Sequence, residues 1–190
     1  VFNTPGANAN AVKEEVIFAM LAASRHMFAA NEWARKEAAA GGDVLTTMEK
    51  VKSQFAGPEI LGKTLGIIGL GAIGARMAAH ADYHLQLRPG TDAALGLGMN
   101  IVGYDPYLSV HAALALDRRV NVVNNLDELL KVSDYITIHV PLNDSTRNTI
   151  DAEAISKMKG SVRIINLARN GLVDEQALLP ALSSGRVAAY

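Results

Sequence analysis

Leu65-Gly66-Ile67-Ile68-Gly69-Leu70-Gly71-Ala72-Ile73-Gly74 is the stretch on which the fold turns. A short apolar run leads into Gly-x-Gly-x-x-Gly, and a helical stretch follows from Ala72. A buried strand, a tight turn and a helix in that order form a dinucleotide-binding fingerprint. Gly69 lets the chain turn, Gly71 lets backbone approach a pyrophosphate, and Gly74 lets helix and strand pack closely. The amides of Ala72 and Ile73, at the start of the helix, then face the phosphates with the positive end of the helix dipole behind them.

The same fingerprint calls for an acidic residue about 20 positions on, at the end of the next strand. Asp105 ends Ile101-Val102-Gly103-Tyr104-Asp105, but it lies 31 residues past Gly74. Residues 79–91 (AHADYHLQLRPGT) read as an insertion, because without those 13 the spacing falls to 18. Arg88-Pro89-Gly90-Thr91 is a turn signal, so the expectation is a surface loop at the far end of the helix, away from the phosphates. A carboxylate at Asp105 accepts both adenosine-ribose hydroxyls and repels a 2′-phosphate, which favours NAD over NADP. The competing reading is a turn Asp ahead of Pro106.

Composition narrows the function classes. At 190 residues, 49% hydrophobic and 19% charged, the chain suits one globular domain with a substantial core and part of a second. A net charge of −1 argues against nucleic acid or an anionic membrane as partner. The absence of cysteine excludes disulfides, thiol nucleophiles and cysteine metal sites. No apolar run approaches the roughly 20 residues a spanning helix needs, and no signal peptide is visible. A reducing, cytoplasmic setting is the expectation, and a first residue of Val1 points to a fragment.

Strands and helices alternate along the chain. Ala11 to Ala30 reads as a helix with Val12, Val16, Ile17, Met20 and Leu21 on one face, and 41–62 as loop between Gly41-Gly42 and Gly57-Pro58. Strands are expected near 64–69, 101–105, 120–123, 134–140 and 162–168, with a last one starting near Val187. Helices are expected near 72–87, 125–131, 152–159 and 174–184, with Asp151 and Asp174 as N-caps and Gly160 and Gly185 past the C-termini. Pro180 falls inside the last helix. The pattern is α/β, a doubly wound parallel sheet covered on both faces. Gly57 to Thr64 spells a P-loop, but it follows a loop and runs into a strand, the wrong context for an ATPase. Asn143-Asp144-Ser145 is a glycosylation sequon in spelling only.

Two further strands end at the edge where the glycine motif ends. One is Ser133-Asp-Tyr-Ile-Thr-Ile-His139-Val140-Pro141; the other is Val162-Arg-Ile-Ile-Asn166-Leu167-Ala168-Arg169-Asn170-Gly171, which delivers an arginine. Ligands of doubly wound sheets bind outside the carboxyl ends of the strands, so topology alone places Arg169 near the cofactor. Its plainer reading is a surface cation or a salt-bridge partner.

With the N-terminal segment Asn3 to Glu14 and the blocks at 62–78, 97–110, 124–142 and 165–175, the chain resembles the D-isomer-specific 2-hydroxyacid dehydrogenases. The resemblance covers most of the chain outside 31–56 and 79–91. It implies a Rossmann domain (31–190, incomplete at its C-terminus) preceded by an interdomain segment and crossover helix (1–30) of an otherwise missing substrate domain. It implies NAD as cofactor, with Gly69, Gly71, Ala72, Ile73 and Gly74 on the pyrophosphate and Asp105 on the ribose. His139, Val140, Pro141 and Thr146 would line the cofactor cleft, and Leu167, Ala168 and Arg169 would flank the nicotinamide. Arg169 would be catalytic, holding the carboxylate and carbonyl of a small 2-hydroxy acid, a task that suits a planar guanidinium. Asn8 matches a position that touches substrate or cofactor.

The chain departs from the family in reading Arg169-Asn170-Gly171 where Arg-Gly-Gly is common. The family's proton-shuttling histidine and its glutamate lie downstream of Tyr190, and none of the five histidines here sits in that motif. The implied function is hydride transfer between NAD and a D-2-hydroxy acid, 3-phosphoglycerate first and glyoxylate, hydroxypyruvate or D-lactate as alternatives. The 190 residues alone would bind NAD without turnover. A non-catalytic NAD-sensing or corepressor-like module is the reading from another class. Either way the resemblance implies a homo-oligomer, a dimer formed through this domain and the 11–30 helix.

Overall fold

A computed structural model describes residues 7–78 and 93–190. The stretch read as an insertion at 79–91 and most of the helix expected over 72–87 lie outside those residues. Six strands form one sheet: β1 (Thr64–Ile68), β2 (Asn100–Tyr104), β3 (Val120–Val123), β4 (Tyr135–Ile138), β5 (Val162–Ile165) and β6 (Val187–Ala189). Their order is β3-β2-β1-β4-β5-β6, and every pairing is parallel. The chain builds outward from β1 on one side, crosses over, and builds outward from β4 on the other. That reversal between β1 and β4 leaves a crevice at their carboxyl ends, where the glycine motif begins.

Alternation along each central strand feeds two cores. Leu65 and Ile67 of β1 and Ile101 of β2 point to one face, beneath α1 (Ala9–Arg25), α4 (Gly74–Ala78) and α5 (Ala93–Gly96). Ile68, Val102, Ile136, Ile138 and Ile164 point to the other, with α7 (Leu126–Val132), α8 (Ala152–Lys157) and α9 (Glu175–Ser183). Burial on both faces is why these strands read as continuous apolar runs rather than alternating ones. At the outer end of the first half, α6 (Val110–Leu114) precedes β3.

Helix α1 is fastened to the sheet by polar groups as well as by Val16 and Met20. The Ser24 hydroxyl hydrogen-bonds the Met20 carbonyl and the Tyr135 hydroxyl, each at 2.6 Å. Arg163 donates through Nε to the Ala23 carbonyl at 3.2 Å and lies 5.4 Å from the centre of the Tyr135 ring. These bonds satisfy groups that would otherwise be costly to bury.

Several elements differ from expectation. The helix read over 11–30 is two helices: His26 adopts a left-handed conformation (φ 48°) that ends α1, and α2 (Met27–Ala39) sets off afresh. Leu21 is exposed, while Lys13, Val16, Met20 and Ser24 form the buried stripe. The stretch read as loop over 41–62 contains α3 (Val44–Val51) and a 3-10 turn at Lys52–Phe55. Asp43 caps α3 by accepting the Thr46 amide and hydroxyl, and Val44, Met48 and Val51 recur at helical spacing. Helices α5 and α6 were not foreseen, although Ser109 caps α6 by accepting the Ala112 amide at 3.1 Å. The N-caps Asp151 and Asp174 accept the amides of Ala154 and Gln176. Gly185 is left-handed (φ 73°), but after α8 the left-handed residue is Ser161 rather than Gly160. Pro180 is inside α9 at an exposed position, where it has no amide to donate to the Gln176 carbonyl.

Candidate functional site

The glycine loop closes on itself at the end of β1. Gly69 is left-handed (φ 93°), and a Cβ there would stand 2.8 Å from the His139 carbonyl oxygen at the end of β4. Gly74 packs so tightly that a Cβ would overlap the Gly69 carbonyl. Gly71 is different: nothing lies within 4 Å of where its Cβ would be, and that open side borders a cleft of about 700 Å3. The first helical bond runs from the Ala75 amide to the Gly71 carbonyl, so the helix begins at the loop. Among the described residues the amides of Gly71 and Ile73 have no hydrogen-bond acceptor.

Asp105 sits across the mouth of the cleft, half-buried. One carboxylate oxygen accepts the Leu70 amide at 3.0 Å and the other accepts the Tyr107 amide at 2.9 Å. It therefore makes the turn expected of an Asp ahead of Pro106 and also ties the end of β2 to the glycine loop. Each oxygen retains a lone pair for a further donor.

His139, Val140, Pro141 and Thr146 form the opposite wall. Burial pushes the His139 imidazole down to about 4, so it is neutral at pH 7, and its Nε2 is engaged with the Thr137 hydroxyl at 2.9 Å. Thr146 shapes this wall: its hydroxyl donates to the Pro141 carbonyl at 2.6 Å and accepts the Asn143 amide at 2.9 Å. Asn143 completes the turn by accepting the Ser145 and Thr146 amides. Sequence reading did not single out Tyr104, Tyr107, Leu126, Asn143 or Thr149, which also line the cleft. Tyr104 ends β2, and the others lie in the segments that follow the ends of β2, β3 and β4, which was their only signal.

Leu167, Ala168 and Arg169 do not line this cleft. Leu167 borders a separate apolar groove of about 500 Å3 beside α1, and Ala168 packs on the core. Arg169 is exposed on the loop after β5; its guanidinium donates to the Ala168 carbonyl at 2.8 Å and has no acidic partner among the described residues. That loop is stitched to the cleft wall, since the Asn148 amide donates to the Gly171 carbonyl at 2.8 Å. Asn8 stands ahead of α1, where its carbonyl accepts the Val12 amide and its side chain makes no capping bond. The P-loop spelling is structurally void: Gly57 is wedged against the Ser24 carbonyl of α1, and Thr64 opens β1.

A crevice at the reversal point, an open glycine, unbonded loop amides and a carboxylate with spare lone pairs together fit a dinucleotide. Residues 17–190 match the family model described as D-isomer specific 2-hydroxyacid dehydrogenase, NAD binding domain, whose cofactor is NAD. The chain is 38% identical to a D-3-phosphoglycerate dehydrogenase of Methanocaldococcus jannaschii, over 100% of this chain and 31% of the relative. It is 41% identical to a hydroxypyruvate reductase of Thermotoga maritima, over 100% of this chain and 52% of the relative. The crystal structure of Rhodotorula graminis D-mandelate dehydrogenase superposes with a TM-score of 0.72 at 28% identity, covering 97% of this chain and 49% of that one. The chain thus spans between about a third and a half of the length of these proteins. Fold, cleft and family match agree, and the chain belongs to the D-isomer-specific 2-hydroxyacid dehydrogenases, as their NAD-binding domain.

Proposed function

We propose that this domain serves an oxidoreductase that passes hydride between NAD and a D-2-hydroxy acid, with Arg169 gripping the acid. The observation that carries the reading is an exposed guanidinium without an acidic partner among the described residues, on a loop tied to the cofactor cleft. A planar fork of donors matches a carboxylate and the neighbouring 2-oxygen together. NAD, when bound, would supply the hydride acceptor. The residues here would hold and aim: the Gly71, Ala72 and Ile73 amides on the pyrophosphate, Asp105 on the ribose hydroxyls, His139, Val140, Pro141 and Thr146 along the cofactor cleft, and Leu167 and Ala168 beside the nicotinamide. Asn8 remains a weaker candidate for substrate contact.

The proton of the 2-hydroxyl goes to a base outside these 190 residues. His139 is unsuited, because a group titrating near pH 4 and engaged with Thr137 takes up a proton poorly at neutral pH. We assign 1–30 to an interdomain segment and crossover helix, and 31–190 to the NAD-binding domain. The 190 residues should bind NADH and show no steady-state turnover. Phe18, Met27, Phe28 and Leu45 are exposed around α1, α2 and α3, which supports pairing of two copies through this side of a cytoplasmic enzyme.

3-Phosphoglycerate is the substrate we place first, with serine biosynthesis as its setting. The 41% identity to a hydroxypyruvate reductase favours hydroxypyruvate as the second reading. The test uses the protein at its full natural length, with 3-phosphoglycerate and NAD in one direction and hydroxypyruvate or glyoxylate and NADH in the other. A kcat/KM for 3-phosphoglycerate at least about tenfold above the rest supports the first choice, and the reverse order supports the second. NADH binding with no turnover of any 2-hydroxy or 2-oxo acid would leave the non-catalytic sensing module as the reading.

A further inference from the structure

Asn166 stands one residue past β5 and borders the apolar groove rather than the cofactor cleft. Its half-buried carboxamide makes three hydrogen bonds within and beside one loop. Oδ1 accepts the Ala168 amide at 3.1 Å, while Nδ2 donates to the Arg169 carbonyl at 3.0 Å and contacts the Tyr190 hydroxyl at 3.2 Å. The loop it spans has little else to hold it. Among the described residues the backbone of 167–169 makes no backbone–backbone hydrogen bond, because the parallel ladder has already ended at Ile165. One side chain therefore does for this loop what a strand partner does for β5.

We propose that Asn166 is the positioning residue for Arg169, with the Tyr190 hydroxyl as its anchor on the end of β6. This rests on Arg169 binding the substrate as set out above. Asn166 closes a ring over Leu167 by holding the Ala168 amide and the Arg169 carbonyl together, which fixes the direction in which the Arg169 side chain leaves the backbone. The guanidinium, tied back among the described residues only to the Ala168 carbonyl, is then held toward incoming acid instead of sweeping solvent. Small errors in such placement cost large factors in rate, so the loop's anchor should register in turnover more than in folding. Tyr190 extends the anchor to β6, so the aim of Arg169 depends on the strand at the sheet's edge.

The experiment is a double-mutant cycle on the protein at its full natural length, with hydroxypyruvate and NADH as probes and the NADH dissociation constant measured in parallel. Asn166→Asp keeps an acceptor for the Ala168 amide but loses the donor to the Arg169 carbonyl. Asn166→Asp and Asn166→Ala should each lower kcat/KM about 10- to 100-fold while NADH affinity stays within about twofold. Tyr190→Phe should lower it about threefold. Arg169→Ala should lower it about 1000-fold, and adding Asn166→Ala to it should cost less than about twofold more, because the two act through one contact. Should Asn166→Ala fail to fold, the Asp and Phe variants carry the same test. Wild-type rates in the Asn166 variants, or losses that multiply in the double mutant, overturn the assignment while leaving Arg169 intact. A protein that reduces no 2-oxo acid, or an Arg169→Ala variant at wild-type rate, overturns the dehydrogenase reading and Asn166's role with it.

Discussion

Gly71 and Gly74 stand three residues apart and should fail in opposite ways. A methyl group on Gly74 has no space, because the Gly69 carbonyl occupies it, so Gly74→Ala must push helix from strand. We expect it to destabilise the domain by about 3 kcal/mol and to weaken NADH binding as a consequence. A methyl on Gly71 meets nothing in the protein and projects toward the cleft. Gly71→Ala should melt at the wild-type temperature and still lose NADH affinity by tenfold or so. Thermal melts and fluorescence titrations of the pair check both claims, and a destabilised Gly71→Ala with normal NADH affinity would refute the second. The glycines and Asp105 were legible in the sequence because their roles are local, set by a turn and the end of a strand. Asn166 was not legible, since its part depends on bonds to Arg169 and to Tyr190, 24 residues away, which spacing does not encode. Tyr107 and Asn143 escaped for a related reason: only the sheet order brings them to one cleft.

At the level of elements, the central strands and the helices α7, α8 and α9 were readable, while α2, α3, α5 and α6 were not. Strands buried on both faces are dominated by apolar residues, Leu65-Gly66-Ile67-Ile68 in β1 and Tyr135, Ile136 and Ile138 in β4, a signal that survives without neighbours. Helix α3 has eight residues and sits between Gly41-Gly42 and Gly57-Pro58, so punctuation outweighed its Asp43 cap and its Val44, Met48 and Val51 spacing. Helices α2 and α3 contain no buried residue at all, yet Leu45 is 85% exposed and Phe28 is 68% exposed. Under the proposed pairing such an arm would gain stability from a second copy, so wild type should sediment as a dimer and a Phe28→Asp, Leu45→Asp variant as a monomer. A wild type that is monomeric at high concentration would refute the pairing. Helix α9 offers a separate test: Pro180→Ala restores an amide that reaches the Gln176 carbonyl. It should raise the urea midpoint, with a gain of about 1–3 kcal/mol.

For the molecule as a whole, acid sensitivity should begin at His139. The unfolded chain takes up a proton near pH 6.5, while the buried imidazole resists until about 4, so stability present at pH 7 drains away as pH falls through that interval. Between pH 6.5 and 4.5 this one group should remove about 2 kcal/mol. Glu32 and Asp43, held below the ordinary carboxylate range by Lys36 and by Thr46, lose their contributions only at lower pH. Urea unfolding across the window should show a shallower fall for His139→Gln than for wild type, and equal slopes would remove His139 as the cause. The reversal of strand order also bears on how the chain could be divided. Residues up to Asn124 contain β1, β2 and β3 side by side, and those from Asn125 contain β4, β5 and β6 side by side, so the two sets of strands meet at the β1–β4 ladder, with the bonds of Ser24 to Tyr135 and Arg163 to Ala23 beside it. Severing the peptide bond between these asparagines would leave each set of strands contiguous. NADH, bound across the ladder, would act as a staple that draws two separately expressed pieces back into one protein.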